Sequence, residues 1–256
     1  MPTNCRKIFG FSLAEGATHV DTPPNKMKFG FTLAEILITL GIIGVVAAMT
    51  IPNLIANNKA RRLKSQFLES YSIVQQVFKQ MEADDVSLDP KDYPTGQFYK
   101  TFMKYLQAPF DCGYAESIKN SPCYHYIPYG TDNAKSYVSL DGSTVSGNWF
   151  DDGQIALQDG TLLLFENPKS FANNIWITVD LNGYNNKPNK WGYDLFTFQF
   201  IDGELKTMGA QGTTYTDMSR YCNLETTNGM NGIACAQKAK EDSEYFKKLI
   251  KKVKWV

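Results

Sequence analysis

The sequence predicts an α+β fold in which one long N-terminal helix packs on an antiparallel β-sheet head. Three patterns support this: an uncharged apolar stretch at residues 36–55, a helical stripe of apolar residues after it, and short β-like runs in the second half of the chain. We therefore expect a transmembrane helix at 31–56, its amphipathic continuation at 57–83 and an exported globular head at 84–256.

The transmembrane half is predicted from charge and length. Residues 36–55 contain no Asp, Glu, Lys or Arg, and about 20 such residues are what a helix needs to cross the hydrocarbon core of a bilayer. The stretch is longer than the apolar core of an ordinary secretory signal, so we interpret it as a retained anchor. Glu35 would then lie at or inside the membrane.

The second half of the helix is predicted from a stripe of apolar residues at spacings of 4, 4, 3, 4 and 3. Its members are Leu63, Phe67, Tyr71, Val74, Phe78 and Met81. This spacing places them on one face of a helix that would pack against the head. We predict one continuous helix from residue 31 to about residue 82.

The head contains five β-like runs, "SYVSL", "QIAL", "TLLLF", "IWITVDL" and "LFTFQFI". Asp-Gly or Asn-Gly turn signals separate them, at Asp141, Asp152, Asp159, Asn182 and Asp202. This alternation predicts an antiparallel sheet. A short helix at 96–107 and an amphipathic terminal helix at 234–253 complete the predicted head.

The cysteines indicate the compartment. Cys112 pairs with Cys123 and Cys222 with Cys235, each couple enclosing a loop of roughly ten residues, while Cys5 stands apart. We predict two disulfides and hence an oxidising compartment for the head. The alternative is free or metal-binding thiols, which is weaker because there is no CxxC spacing and only two histidines.

Charge excludes one class of partner and leaves the membrane orientation open. The 26 basic and 26 acidic residues balance, so composition does not support nucleic-acid binding. Lys and Arg flank the apolar stretch equally, four on each side, so the positive-inside comparison is a tie. The downstream cysteine couples favour export of the C-terminal part.

The segment "GFTLAEILITLGIIGVVAAMTIPNLI" at residues 30–55 resembles the N-terminal class III signal of type IV prepilins and type II secretion pseudopilins. The shared features are a Gly, then a Phe, then a Glu four residues on, then an uncharged helix. The head segment "VDLNGYNNKPNKWGYDLFTFQF" resembles, more loosely, stretches of minor pilins and pseudopilins. The resemblance implies a type IV pilin-like fold and a structural filament subunit, a minor pilin or pseudopilin, with no enzymatic activity.

The resemblance also implies how the chain is processed and where it resides. A prepilin peptidase would remove the leader, residues 1–30, between Gly30 and Phe31 and would N-methylate Phe31. Glu35 would meet the Phe31 amine of a neighbouring subunit during assembly by the filament machinery. The chain would start as a single-span protein of the inner membrane with its head exported, and would end in a surface pilus or a periplasmic pseudopilus.

The leader contains an internal repeat. "FGFSLAE" at residues 9–15 nearly copies "FGFTLAE" at residues 29–35, but the polar "GATHVDTPP" that follows it cannot cross a membrane. Only the second copy can therefore anchor the chain. The first is a duplicated remnant, a recognition element or a second site at Gly10, unless translation starts at Met27.

One loop of the head offers oxygen ligands. Asp180, Asn182, Asn189 and Asp194 lie in "DLNGYNNKPNKWGYD", and carboxylate and amide oxygens are the donors that calcium takes. The resemblance adds that some pseudopilins bind calcium in a comparable loop. The alternative is an ordinary turn, because Asx residues form turns without an ion. Calcium is the one cofactor that we predict.

A second function remains open at this stage: a membrane-anchored binding module that presents an aromatic-rich head to a ligand. Tyr114, Tyr124, Tyr126 and Tyr129 would form its contact surface, or they would pack the head. An anchored hydrolase is a weaker third reading, because the Cys123-x-His125 pair has no orienting acid at a known spacing.

Overall fold

The computed structural model describes residues 30–94, 96–114, 122–124, 137–167 and 174–252. The chain divides into two compact units, residues 1–49 and residues 50–256. Several sequence features lie outside the described residues: Cys5, the repeat at 9–15, Met27, His125, Tyr126, Tyr129 and most of the first cysteine loop.

Helix α1 extends from Leu33 to Ala83, within two residues of the predicted bounds. It ends in a Schellman motif: the amide of Val86 donates to the carbonyl of Met81 (2.9 Å), and Asp85 adopts a positive φ of 53°. The long N-terminal helix predicted from the sequence is thus confirmed.

The unit at residues 50–256 is built on one six-stranded sheet. The strands are β1 Phe110–Gly113, β2 Gln154–Ala156, β3 Leu162–Glu166, β4 Ile175–Asp180, β5 Leu195–Ile201 and β6 Glu204–Thr207. They lie in chain order, and every neighbouring pair is antiparallel. Asp202 and Gly203 join β5 to β6, both with positive φ as a type I′ turn requires. The α+β class with an antiparallel sheet is confirmed.

One face of the sheet is apolar and packs on α1. Alternate residues of β5 place Phe196, Phe198 and Phe200 on this face. The ring of Phe67 contacts Phe196 at 4.9 Å between centroids, and that of Phe78 stacks on Phe200 at 4.2 Å. The apolar stripe predicted from the sequence is therefore the face of α1 that packs into the core.

The opposite face of the sheet is polar, buried and covered by loops. The hydroxyls of Thr178 and Thr197 share a 2.9 Å hydrogen bond, and Nε1 of Trp191 donates to Thr197 at 3.1 Å. Tyr124 packs here and is almost fully buried, whereas Tyr114 is 44% exposed. Of the two tyrosines of the predicted contact surface that the structure describes, Tyr124 is therefore part of the core and Tyr114 is partly exposed.

Some predicted elements differ in the structure. The described residues 137–140 of the "SYVSL" run form no strand, and Val138 makes isolated bridges. The helix at 96–107 shortens to α2, Phe98–Met103, and a four-residue helix α3, Met218–Tyr221, was not predicted. The terminal helix is two helices, α4 Cys235–Glu241 and α5 Tyr245–Lys252. It breaks where the Asp242 carboxylate accepts the amide of Glu244 (2.9 Å), an Asx turn that competes with the helix.

The two cysteine couples form disulfides. Cys112, in β1, bonds Cys123, and Cys222 bonds Cys235 at the start of α4. These four sulfurs are therefore neither metal ligands nor nucleophiles in this structure. Each bridge closes a short segment, and together they stabilise two irregular parts of the head.

Candidate functional site

The start of α1 is a capping box. The hydroxyl of Thr32 accepts the amide of Glu35 (3.2 Å), and Oε2 of Glu35 accepts both the amide (2.8 Å) and the hydroxyl (2.9 Å) of Thr32. The carboxylate is thereby held where unpaired amides and the helix dipole favour negative charge. Sequence reasoning missed the role of Thr32, although the "TLAE" spacing is the known signature of this cap.

The bond between Gly30 and Phe31 lies in the non-helical residues just before this cap. Both residues are exposed, and the Phe31 side chain is 83% accessible. A Cβ added at Gly30 would meet no atom within 4 Å. In the described part of the chain, the Gly30–Phe31 peptide bond is therefore exposed, and it lies one residue before the capping box.

The large apolar side chains that follow the capping box are exposed along α1. They are Ile36, Leu37, Ile38, Leu40, Ile42, Ile43, Val45, Val46, Met49, Ile51, Leu54 and Ile55, each between 41 and 69% accessible. Among the described residues, α1 is the one helix long and apolar enough to cross a membrane. Apolar surface of this extent indicates a lipid or protein environment around the segment.

The loop at 180–194 contains two buried carboxylates. Asp194 accepts the backbone amides of Lys190 (2.7 Å) and Asn189 (3.1 Å), and Asp180 accepts the hydroxyl of Tyr137 (2.9 Å). Asp180, Asn189 and Asp194 are fully buried. The structure thus brings three of the four predicted calcium ligands into the interior of the head, with Asn182 beside them.

Each carboxyl of this loop is unfavourable to ionise. Burial, and then the nearby Asp194, raise the pKa of Asp180 well above its usual range, and burial raises the pKa of Asp194 to about 6. Lys59 of α1 faces the loop: burial lowers its pKa, and the charge of Asp194 raises it. The loop therefore disfavours two negative charges on Asp180 and Asp194 at once, and Lys59 lies beside it.

The loop fits a hard cation by the chemistry of its donors. Oδ1 of Asn182 and Oδ1 of Asn189 are buried and accept no hydrogen bond from the described residues. Amide and carboxylate oxygens are the ligands of calcium, so all four predicted residues suit that ion. If bound, calcium would supply charge neutralisation and would fix the loop. The carboxylate oxygens also accept the protein hydrogen bonds given above, so these bonds hold the loop together without an ion.

The long apolar helix with its capped glutamate, together with an antiparallel sheet packed on the distal half of that helix, is consistent with a type IV pilin-like fold. Residues 25–51 match the family model described as the prokaryotic N-terminal methylation motif. The chain therefore carries a type IV prepilin-like signal, which is a structural and not an enzymatic motif. A search of curated proteins and a search of solved structures each found no match to this chain.

Proposed function

We propose that this chain is a minor pilin or pseudopilin, a structural subunit of a type IV pilus-like or type II secretion filament. Prepilin peptidase cleaves it between Gly30 and Phe31 and N-methylates Phe31, and the subunit then assembles through the exposed apolar part of α1. The observation that carries the proposal is the methylation motif at residues 25–51, which ends inside this apolar helix. The motif and the helix support single-pass anchoring, and the two disulfides support export of the head.

Glu35 has a specific role in this proposal. A carboxylate inside a membrane costs on the order of 3 kcal/mol or more unless it is paired. In the part of the chain that the structure describes, Glu35 accepts hydrogen bonds from uncharged groups of Thr32. Cleavage creates a positive amine at Phe31, and the amine of the adjacent subunit supplies the charge that neutralises Glu35. The simpler alternative is that Glu35 reaches the headgroup region and remains hydrated there.

Mass spectrometry of the protein isolated from its cells tests the processing step. We expect a mature chain that begins at N-methylated Phe31, and an uncleaved chain when the peptidase gene is deleted. Gly30→Val should block cleavage, because a side chain at this position meets no atom of the described protein and so changes recognition without disturbing the fold. Gly44→Ala, which is equally unhindered, is the matched control and should be processed normally. A mature protein that retains residues upstream of Phe31 would contradict the proposal.

A membrane-anchored binding module is the competing function, and it would work with its leader attached. The half-exposed Tyr114 is the described residue that favours a contact surface on the head. Fractionation after peptidase deletion separates the two functions. If the protein disappears from sheared filaments but stays in the membrane fraction, the filament subunit is supported. If ligand binding by the head is unchanged, the binding module is supported.

We also propose that calcium binds the 180–194 loop, since Asn182 and Asn189 keep unused buried oxygens beside two carboxylates. Calorimetric titration of the full-length protein with calcium should give more heat for the wild type than for Asp194→Asn, which loses the contribution of this loop. Glu204→Gln, an exposed acid on β6, is the control and should bind like the wild type. Equal heats for the wild type and Asp194→Asn would show that calcium does not bind this loop.

A further inference from the structure

Three acidic residues meet at the end of the β2–β3 hairpin, away from the 180–194 loop. Asp151 and Asp152 precede β2, and Glu166 is the last residue of β3. β2 and β3 pair from Gln154 and Leu164 onward, and just before that pair the amide of Phe165 donates to the carbonyl of Gly153 (2.9 Å). The amide of Asp152 donates to the carbonyl of Phe165 (3.1 Å), so Asp152 and Gly153 together oppose Phe165 as a β-bulge. This bulge brings Asp151 and Asp152 to the end of β3, where Glu166 lies.

The three carboxylates form a compact, mostly buried group. One oxygen from each of Asp151, Asp152 and Glu166 lies within 4.8 Å of the others. Asp152 is 6% exposed and Glu166 is 7% exposed. Burial, then the charges of Asp152 and Asp151 and a side-chain hydrogen bond with Asp151, raise the pKa of Glu166 to about 9. Carboxylates in this arrangement repel one another unless a proton or a cation lies between them.

Two buried acceptors at this group lack a partner. Oε2 of Glu166, a side chain more than nine-tenths buried within the group, accepts no hydrogen bond from the described residues. The same holds for Oδ1 of Asn167, whose backbone amide donates to Asp152 (2.9 Å). Buried acceptors in folded proteins are nearly always satisfied by protein, water or an ion. The orphaned oxygen of Glu166 therefore points to a ligand inside the acidic group.

The chemistry of the group selects the ligand. Calcium binds oxygen donors at 2.3–2.6 Å, so two ligands of one ion lie up to about 5 Å apart, and the 4.8 Å limit among these three oxygens agrees with this. We propose that Asp151, Asp152 and Glu166 form a divalent-cation site that takes calcium. Backbone carbonyls and water would complete the shell that calcium requires. This inference does not depend on the filament function.

Two tryptophans beside the group provide a direct probe. Trp176 pairs with Glu166 across β3 and β4, a position where side chains share one face and Cβ atoms are about 5 Å apart. Trp149 stacks on Trp176 at 5.4 Å between ring centroids. Terbium, a luminescent ion that replaces calcium on oxygen ligands, would therefore be excited by energy transfer from tryptophan when it binds here.

The test uses the full-length protein in detergent, freed of metal with EDTA and titrated with terbium under tryptophan excitation. We expect saturable luminescence that calcium displaces. Glu166→Gln and Asp152→Asn should each raise the dissociation constant at least about tenfold. Both substitutions preserve side-chain size, and Asn at 152 still accepts the Asn167 amide. The control is Glu204→Gln, an exposed acid on β6, which should leave the constant unchanged.

The titration is repeated on the Asp180→Asn background, because Trp191 lies in the 180–194 loop and would sensitise terbium bound there. On this background the part of the signal that depends on Glu166 should remain. Calcium-dependent thermal stabilisation gives a second readout on the Asp194→Asn background, where the 180–194 loop is impaired: calcium should raise the melting temperature of Asp194→Asn, and adding Glu166→Gln should remove that rise. The proposal is overturned if the wild type gives no saturable luminescence, or if Glu166→Gln binds terbium like the wild type. It is equally overturned if Asp180→Asn abolishes the signal while Glu166→Gln keeps it.

Discussion

The amide of Thr32 donates a 2.8 Å hydrogen bond to Oε2 of Glu35, and the amide of Glu35 donates to the hydroxyl of Thr32 in return. The acid of the prepilin-like motif thus has a structural role before any second subunit is present. Capping the helix requires an acceptor oxygen at this position, whereas pairing with a neighbour's amine requires a negative charge. Substitutions can separate these two requirements.

Glu35→Gln should assemble poorly although its helix still starts at the same residue. A glutamine at this position of a capping box keeps the acceptor but loses the charge. We expect Glu35→Gln and Glu35→Ala to be depleted alike from sheared filaments, as measured by immunoblot against the membrane pool. Thr32→Val is the control: it removes the cap, at about 1 kcal/mol of helix stability, and should still enter filaments. Normal incorporation of Glu35→Gln would show that charge pairing is not required.

Phe67→Ala should strongly destabilise the head. Phe67 is fully buried, and its ring contacts Phe196 and Phe198 of the sheet and Phe246 of α5. Loss of this ring leaves a cavity that costs about 3–5 kcal/mol in the free energy of unfolding, measured by urea denaturation with tryptophan fluorescence. Its neighbour Leu68 is 45% exposed, so Leu68→Ala should change that free energy by no more than about 0.5 kcal/mol. Similar losses for both variants would mean that α1 does not pack on the sheet through this face.

Thr197→Val should weaken the polar face of the sheet without creating a cavity. The substitution preserves volume but leaves Nε1 of Trp191 without its acceptor, which costs about 1–3 kcal/mol. Urea denaturation should show this loss, and the fluorescence of Trp191 should shift. Thr216→Val is the control, because Thr216 is exposed and the same change of side chain there should leave the stability within about 0.5 kcal/mol. An unchanged stability of Thr197→Val would indicate that water reaches Trp191.

Loss of the second disulfide should lower the free energy of unfolding by about 3 kcal/mol, because a bridge across 13 residues restricts the unfolded chain. The double variant Cys222→Ala/Cys235→Ala tests this in oxidising buffer. The measurement is then repeated on the Cys112→Ala/Cys123→Ala background with and without reductant. This background retains the Cys222–Cys235 bridge, so the reductant should lower its free energy of unfolding. A second double variant as stable as the wild type would contradict this entropic role.

The fold was predictable where the signal is local. The bounds of α1 follow from an uncharged stretch and a regular stripe, both readable from neighbouring residues alone. Strands β1 and β6 escaped prediction because "FDCG" and "ELKT" are short and carry almost no apolar pattern. They form because an adjacent strand already offers unpaired backbone groups, and this is information about tertiary structure.

The candidate sites also differ in whether neighbouring residues in the sequence are enough to predict them. The Gly30, Phe31 and Glu35 motif lies within six consecutive residues and can be read directly. The acidic group cannot, since Asp152 and Glu166 meet only through the register of a hairpin. The sequence even misdirects here: Asp152 and Gly153 resemble a turn, yet Asp152 is buried at the sheet and Gly153 has a φ of 137°.

The strict chain order of the six strands has a consequence for the proposed export of the head. From β2 onward, each strand pairs with the one that immediately precedes it in the chain. A polypeptide threaded outward through a translocation channel can then add each new strand to an edge already formed. No late segment has to insert between two earlier ones, so folding can keep pace with secretion.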